Sequence, residues 1–235
     1  MAFDIPDRPR LTLFAGPNGA GKTTAYRRFV EAGFEAGDYL NPDDIARLPG
    51  ADSGDTAFDL RAGREVIRRT RSLIAARQPF VRETTLSGRE ILRSVSDARA
   101  SGYRVMMVFV GVRSTRTTGS RVAVRVASGG HDIPQHVQER RLPRSFDNAC
   151  RVARVADFVY FLDNAGLQHK LVATVREGTI IFCDSSQAEW LERATAGLPR
   201  APSLFSRDEV LSRLREAEGL SDDLRAREGQ SEYSS

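Results

Sequence analysis

One segment, residues 16–23, limits the folds open to this chain more than any other. It reads Gly-Pro-Asn-Gly-Ala-Gly-Lys-Thr and matches the phosphate-binding pattern G-x-x-x-x-G-K-[ST] completely. A short apolar strand is expected before it, at residues 10–15, and a helix after it, at residues 22–32. Glycines in such a loop let backbone amides converge on an anion, and the helix points its positive end at the same place. The segment therefore predicts a strand, a phosphate loop and a helix.

The predicted nucleotide site consists of nine consecutive residues: Gly16, Pro17, Asn18, Gly19, Ala20, Gly21, Lys22, Thr23 and Thr24. Lys22 is expected to reach the outer phosphates of ATP, and Thr23 to bind Mg²⁺ through its hydroxyl. Every basic side chain in the sequence is an arginine except Lys22 and Lys170. A lysine is retained in the phosphate loop because a compact ammonium fits there and a planar guanidinium does not replace it cleanly.

Apolar strands and helices alternate along the rest of the chain. Strands are expected at residues 34–40, 80–83, 103–112 and 156–162, a hairpin at 171–183, and helices from Pro42, at 56–77, from Ser87 to near Gly102 and at 208–218. Ser87 and Glu90 have the spacing of a capping box. Residues 103–112 are apolar almost throughout, which is typical of a parallel strand covered on both faces. The alternation predicts a three-layer α/β domain with a mainly parallel sheet.

The length of 235 residues fits one domain with an appendage. We expect the domain to cover residues 1–198 and a polar extension, part helix and part mobile, to cover 199–235. Residues 1–10 lack the apolar stretch of a signal peptide, and no apolar run is long enough to span a bilayer. Cys150 and Cys183 form no disulfide or metal pattern. These features predict a cytoplasmic protein without a membrane partner.

The charge is unevenly distributed along the chain. Residues 113–154 hold nine arginines and three acids, whereas residues 207–232 hold five arginines and eight acids. The basic stretch is interpreted either as a surface that meets phosphate or as a solvated helix face. It contains few aromatic residues, which argues against nucleic acid as the ligand. Within it, residues 121–126 alternate like a strand but also place Arg121 and Arg125 one helical turn apart, so both structures remain open.

A phosphate loop alone leaves three functional classes open: a small-molecule kinase, a mechanical or transport ATPase, and a GTPase-like switch. The sequence lacks the guanine-reading N-K-x-D motif, which weakens the switch hypothesis. Asp163 ends an apolar strand, where an aspartate can hold magnesium or simply begin a turn.

Four motifs occur together in a fixed order and carry a resemblance to a known family. They are Ala15 to Thr24, Asn41-Pro42-Asp43, Glu83 to Gly88, and Arg121 through Gly129-Gly130-His131-Asp132-Ile133-Pro134 to Arg140-Arg141. In this order they resemble the zeta toxin family of P-loop kinases, in particular its smaller members. The resemblance covers residues 11–164 and implies a P-loop kinase-like fold with an arginine-rich lid.

The resemblance also implies roles for residues outside the loop. Asp43 matches the aspartate that orients and deprotonates the attacking hydroxyl, although Asp43 and Asp44 would also suit the positive end of a helix. Glu83 and Thr84 match a strand end beside substrate and magnesium. The lid arginines that match are Arg121, Arg125, Arg140 and Arg141, and His131 is either a substrate contact or an ordinary turn histidine. Cations around a transferring phosphoryl group are what such chemistry requires.

The family resemblance implies the substrate class as well. Its best-known members phosphorylate a sugar hydroxyl of UDP-N-acetylglucosamine and are held inactive by a small helical antitoxin. The residues that hold the uracil and acetamido groups in the larger toxins have no recognisable counterparts in this sequence. A nucleotide sugar is therefore the first expected acceptor, another nucleotide-type metabolite the next, and an ATPase without a small-molecule acceptor the alternative class.

Overall fold

The computed structural model describes residues 8–35, 37–45, 56–112, 135–164, 168–184 and 189–218. The strands are β1 (Arg10–Ala15), β2 (Asp38–Leu40), β3 (Phe80–Thr84), β4 (Arg104–Gly111), β5 (Phe158–Asp163), β6 (Lys170–Arg176) and β7 (Thr179–Cys183). The helices are α1 (Lys22–Glu31), α2 (Pro42–Ile45), α3 (Thr56–Ala75), α4 (Glu90–Ala100), α5 (Gln135–Ala153), α6 (Glu189–Ala194) and α7 (Arg207–Glu218).

The strands form one sheet in the order β2-β3-β1-β4-β5-β6-β7. The first five run parallel, and β6 and β7 add an antiparallel hairpin at one edge. The strand β1 lies at the centre of the five parallel strands, with β3 on one side and β4 on the other, so the strand order reverses beside β1. Such a switch point is where open α/β sheets bind ligands, at the carboxyl ends of the strands.

Two apolar layers cover the sheet. Side chains of α3, α4, α5 and α6 pack on one face, and side chains of α1 and α7 pack on the other. The alternation along β1 assigns Leu11 and Leu13 to the first layer and Phe14 to the second. The predicted three-layer α/β fold with a mainly parallel sheet is confirmed.

The described part of the C-terminal segment packs on this sheet. The amide of Ala201 donates to the carbonyl of Ile180 on β7, and Val210 and Leu214 of α7 are buried against the second layer. The segment after Leu198 thus covers the edge strand β7, which would otherwise present unpaired backbone groups.

The predicted capping box is wrong. Helix α4 begins at Glu90, and its N-cap residue is Arg89, which makes no side-chain cap. The hydroxyl of Ser87 instead pairs with the hydroxyl of Thr85 at 3.0 Å. Glu90 does not reach back to the start of the helix because its carboxylate binds the guanidinium of Arg82 on β3, at 2.5 Å.

Among the helices of the described ranges, none is both long and apolar enough to cross a membrane.

Candidate active site

The phosphate loop connects β1 to α1 and depends on two glycines. Gly16 has a φ of 143°, and a Cβ there would lie 2.2 Å from the carbonyl oxygen of Val110 on β4. Gly21 has a φ of 93°, and a Cβ there would lie 2.6 Å from Nδ2 of Asn164. The same Asn164 amide donates to the carbonyl of Ala20 at 2.7 Å. The loop is therefore held against the ends of β4 and β5, and no larger residue fits at either glycine.

Lys22 begins helix α1 and is 7% exposed. Its Nζ donates to the carbonyl of Pro17 at 3.0 Å, which folds the side chain back along the loop. The same nitrogen lies 4.0 Å from Oε1 of Glu83. The ammonium is thus placed where the loop curls, with a carboxylate on the neighbouring strand.

Glu83 lies near the end of β3 and is 5% exposed. The hydroxyl of Thr23 donates to its carboxylate, at 3.0 Å to Oε2 and 3.2 Å to Oε1. The hydroxyl of Tyr39 donates to Oε2 at 2.6 Å. A buried carboxylate is costly unless cations and donors surround it, and here one ammonium and two hydroxyls do so. The arrangement brings the predicted metal residues Thr23 and Glu83 into contact.

The oxygen atoms of Thr23 and Glu83 are of the kind that Mg²⁺ prefers. No cluster of three or more histidine, cysteine, aspartate or glutamate side chains suited to a metal occurs in the described ranges. Mg²⁺ in nucleotide enzymes commonly takes one or two protein oxygens and completes its shell with water and phosphate. The donor set therefore fits a magnesium ion that arrives with a nucleotide.

Tyr39 connects this carboxylate to the rest of the sheet. Its ring stacks on that of Tyr26 from α1, with centroids 4.0 Å apart and planes 1° apart. Asn41 directs its side-chain amide at the Tyr39 hydroxyl from 3.4 Å. Burial, and then the negative charge of Glu83, raise the pKa of Tyr39 well above its usual range. Tyr39 is therefore a fixed hydrogen-bond donor at neutral pH.

The loop after β3 has a constrained backbone. Leu86 is fully buried and has a φ of 57°, a conformation that β-carbon sterics disfavour. The amide of Leu86 donates to the hydroxyl of Thr84 at 3.0 Å. From α5, Asn148 donates to the carbonyl of Leu86 at 2.8 Å, and Ser145 donates to the carbonyl of Thr85 at 2.8 Å. These bonds connect α5 to the loop that follows Glu83, and such strained positions are frequent at active sites.

A cleft opens beside the phosphate loop, between it, the loop after β3 and helix α5. Its lining residues are Pro17, Asn18, Thr85, Gln138, Arg141, Leu142 and Ser145. Arg141 is partly exposed at this cleft, and Arg140 is exposed on the same helix. The cleft thus has one cation and several hydrogen-bonding groups beside the loop.

The structure brings several of the predicted site residues together, namely Lys22, Thr23 and Glu83, with Arg141 lining the adjacent cleft. Asp43 lies on α2, directly after β2, and its side chain is outside the described residues. Arg121, Arg125 and His131 also lie outside the described residues. Asp163 ends β5, is buried, and accepts a hydrogen bond from the indole of Trp190 at 3.3 Å.

Three residues of this site were not predicted from the sequence: Tyr39, Ser145 and Asn148. An aromatic residue in a short strand is usually a core residue, so nothing in the sequence pointed to the hydroxyl of Tyr39. Asn148 is polar in an otherwise amphipathic helix, which is a signal of a buried hydrogen bond but does not identify the partner.

Comparisons with known proteins identify the family to which the chain belongs. The model of a family described as an AAA domain (AAA_33) matches residues 11–147. An uncharacterized protein of Haemophilus influenzae (strain ATCC 51907 / DSM 11121 / KW20 / Rd) is 30% identical over 132 residues, which are 56% of this chain and 91% of that protein.

Two solved structures share the fold. The PezAT chromosomal toxin-antitoxin system of Streptococcus pneumoniae matches with a TM-score of 0.55 and 14% identity, over 91% of this chain and 85% of that one. The AvrRxo1-ORF1:AvrRxo1-ORF2 complex with sulphate ions matches with a TM-score of 0.61 and 19% identity, over 94% and 74%. At these identities the matches show the fold alone, and that fold is the P-loop kinase-like fold that the resemblance implied.

Proposed function

Since the chain belongs to the AAA domain family, whose model spans the phosphate loop and the strands around it, we propose that it is an ATP-dependent kinase. It transfers the γ-phosphoryl group of ATP to a hydroxyl of a small metabolite. The observation that carries this proposal is the meeting of Lys22, Thr23 and the buried Glu83 beside a cleft that Arg141 lines. A pure nucleotide switch needs no acceptor site in the cleft beside the phosphate loop.

The phosphate loop binds ATP in this proposal. Its backbone amides surround the phosphates, and Lys22 exchanges the carbonyl of Pro17 for phosphate oxygens. Thr23 and Glu83 hold Mg²⁺, which neutralises charge on the phosphates when it is bound. A complex of the same fold, AvrRxo1-ORF1:-ORF2, was solved with ATP, at a TM-score of 0.59 and 19% identity.

The acceptor enters through the cleft between the phosphate loop and α5. Asp43 follows β2, two strands from β1, and so belongs to the same carboxyl edge of the sheet as the loop. It accepts the proton of the attacking hydroxyl while the oxygen bonds to the γ-phosphorus and the bond to the β–γ bridging oxygen breaks, which releases ADP. The cations around the transferring phosphoryl group are supplied by Arg121, Arg125, Arg140 and Arg141. The acceptor is contacted by Thr84 and His131.

The acceptor is a nucleotide sugar such as UDP-N-acetylglucosamine, and the protein is the toxin of a toxin-antitoxin pair. Two observations support this: the cation and the polar side chains of the cleft suit a hydroxyl-rich anion, and the PezAT toxin-antitoxin system shares the fold. A small helical antitoxin is then the partner that holds the protein inactive.

The test is transfer of label from γ-labelled ATP in the presence of Mg²⁺. The panel of acceptors contains UDP-N-acetylglucosamine, a dinucleotide and a nucleoside, and the product is identified by mass. Transfer to the nucleotide sugar is the expected result, and Lys22→Ala is the inactive control. Label that appears solely as inorganic phosphate, at a rate unchanged by Asp43→Ala, would show an ATPase without an acceptor.

Toxicity has its own test. Expression of the wild-type chain is expected to arrest bacterial growth, whereas expression of Lys22→Ala is not. Co-expression of a small reading frame that neighbours the gene should restore growth. Equal growth of wild type and Lys22→Ala would contradict the toxin proposal and leave the kinase proposal to the labelling experiment.

A further inference from the structure

The buried carboxylate of Glu83 has partners on two different structural units. Lys22 and Thr23 both belong to the first turn of α1, next to the phosphate loop. Tyr39 belongs to β2, which pairs in parallel with β3, the strand that carries Glu83. The contacts that Lys22 and Thr23 make with Glu83 therefore depend on what the phosphate loop binds. The contact of Tyr39 with Glu83 depends instead on the pairing of β2 with β3.

Under the proposed function, on which this step rests, a nucleotide draws Lys22 and Thr23 to phosphate and metal. Their bonds to Glu83 weaken at that moment because an ammonium and a hydroxyl have few donors to share. The hydroxyl of Tyr39 does not face the same competition, since it lies on the sheet and already donates to Oε2 at 2.6 Å.

We propose that Tyr39 is the positioning residue that keeps Glu83 in place while the phosphate loop is occupied. Its hydroxyl holds Oε2, which Thr23 also contacts, and this leaves Oε1 directed at Lys22 and within reach of Thr23. Tyr39 touches no reacting atom and acts through Glu83. Neither the family resemblance nor the phosphate-loop pattern assigns it a role.

Two structural features make Tyr39 suited to this task. The stack on Tyr26 fixes the ring plane, because the two rings lie 4.0 Å apart and are parallel within 1°. The pairing of Leu40 with Arg82 sets the register of β2 against β3, so the backbone of Tyr39 stays at a constant distance from that of Glu83.

The test compares Tyr39→Phe with Tyr26→Phe. Both remove one hydroxyl from the same ring stack, but the hydroxyl of Tyr26 is not among the partners of Glu83. Binding of a non-hydrolysable ATP analogue is measured by calorimetry over a series of Mg²⁺ concentrations, with EDTA as the baseline. Tyr39→Phe is expected to raise the Mg²⁺ concentration for half-maximal binding about 10-fold, as is usual for residues that orient a metal ligand. Binding in EDTA should stay within about two-fold, because the hydrogen bond to Glu83 does not touch phosphate.

A Tyr39→Phe curve that superimposes on the wild-type curve would overturn the proposal, as would an equal shift in Tyr26→Phe. The measurement needs no acceptor and no turnover. If the protein transfers no phosphoryl group, the proposed function fails while the role of Tyr39 is still tested.

A double-mutant cycle separates positioning from a general effect on folding. In a Glu83→Gln background, Tyr39→Phe is expected to change the Mg²⁺ dependence no further, since the group that Tyr39 positions is already altered. Additive changes in the Mg²⁺ dependence would show instead that Tyr39 serves stability alone. The same conclusion would follow if Tyr39→Phe lowered the melting temperature measured in EDTA by enough to account for the whole change in binding.

Discussion

The hydroxyl of Thr23 lies 3.0 Å from Oε2 of Glu83 and joins the first turn of α1 to the end of β3. The two residues are 60 positions apart in the sequence and meet because β1 and β3 are neighbouring parallel strands. The carboxyl ends of both strands therefore lie at one edge of the sheet. This contact places a pair of hard oxygen ligands, one hydroxyl and one carboxylate, beside the phosphate loop.

Lys22→Ala is expected to abolish phosphoryl transfer, a loss of at least about 1,000-fold, because a charge that stabilises the transition state is removed. Lys170→Ala is the matched control, since Lys170 is the other lysine of the chain and its ammonium pairs with the carboxylate of Asp184 at 3.2 Å. Labelled-ATP transfer measures both. If Lys22→Ala kept the turnover of the wild-type protein, the phosphate loop would not take part in phosphoryl transfer.

Asp43→Ala should lower turnover by about 100- to 10,000-fold, the usual contribution of a general base. Binding of the ATP analogue should change little, because the role proposed for Asp43 is on the acceptor hydroxyl and not on ATP. Asp44→Ala, one residue along the same short helix, is the control and should keep most of the activity. Equal losses of binding and turnover in Asp43→Ala would indicate a structural role.

Much of the fold could be predicted because its signals are local. The pattern at residues 16–23 and the apolar run at 103–112 each identify an element without knowledge of any partner. The Ser87–Glu90 capping box was predicted wrongly because a local pattern competed with a tertiary partner: Arg82, on a strand, binds the Glu90 carboxylate. Tyr39 was not predicted for the same reason, since its contact with Glu83 depends on the pairing of β2 with β3.

Gly21→Ala is expected to weaken ATP-analogue binding and to destabilise the protein by about 1–3 kcal/mol. The φ of 93° is unfavourable for a residue with a β-carbon, and a β-carbon there would lie 2.6 Å from Nδ2 of Asn164. Gly63→Ala provides the contrast. Gly63 lies within α3 and has open space around it, so alanine there should stabilise by about 0.5–1 kcal/mol. Thermal unfolding and calorimetry measure both effects. If Gly21→Ala changed neither the unfolding free energy nor the binding of the ATP analogue, the close approach of Asn164 to this position would be contradicted.

Asn148→Ala tests the connection between α5 and the strained loop. It leaves the buried carbonyl of Leu86 without the Asn148 amide, which should cost about 1–3 kcal/mol in unfolding free energy. The KM for the acceptor should rise more than the KM for ATP, because the loop lines the acceptor cleft. Arg144→Ala, an exposed position on the same helix, is the control for helix effects. Identical changes in both KM values would argue against a role of this loop in the acceptor site.

Glu90→Gln tests the ion pair that displaced the predicted capping box. Arg82 is buried, and its guanidinium also contacts Thr70 and Ser94, so loss of the carboxylate charge leaves a buried cation. The carboxyl of Glu90 is about one-third exposed. Allowing for screening by solvent, the substitution should cost about 1–2 kcal/mol at pH 7, measured by urea unfolding.

The pH dependence of that cost follows from the pKa of Glu90. Burial alone would raise this pKa, but the hydrogen bond and charge of Arg82 outweigh burial and hold it below its usual range. The pair therefore stabilises the fold above the unfolded-state pKa of about 4.3 and loses this contribution as the pH falls through the lower folded-state pKa. The difference in unfolding free energy between wild type and Glu90→Gln should therefore shrink as the pH falls below about 4.3. Glu65→Gln, on the exposed face of α3, should show a far smaller effect at pH 7, since solvent screens its pairs with Arg68 and Arg69. If the loss of unfolding free energy in Glu90→Gln stayed constant down to pH 3, packing and not charge would connect α4 to β3.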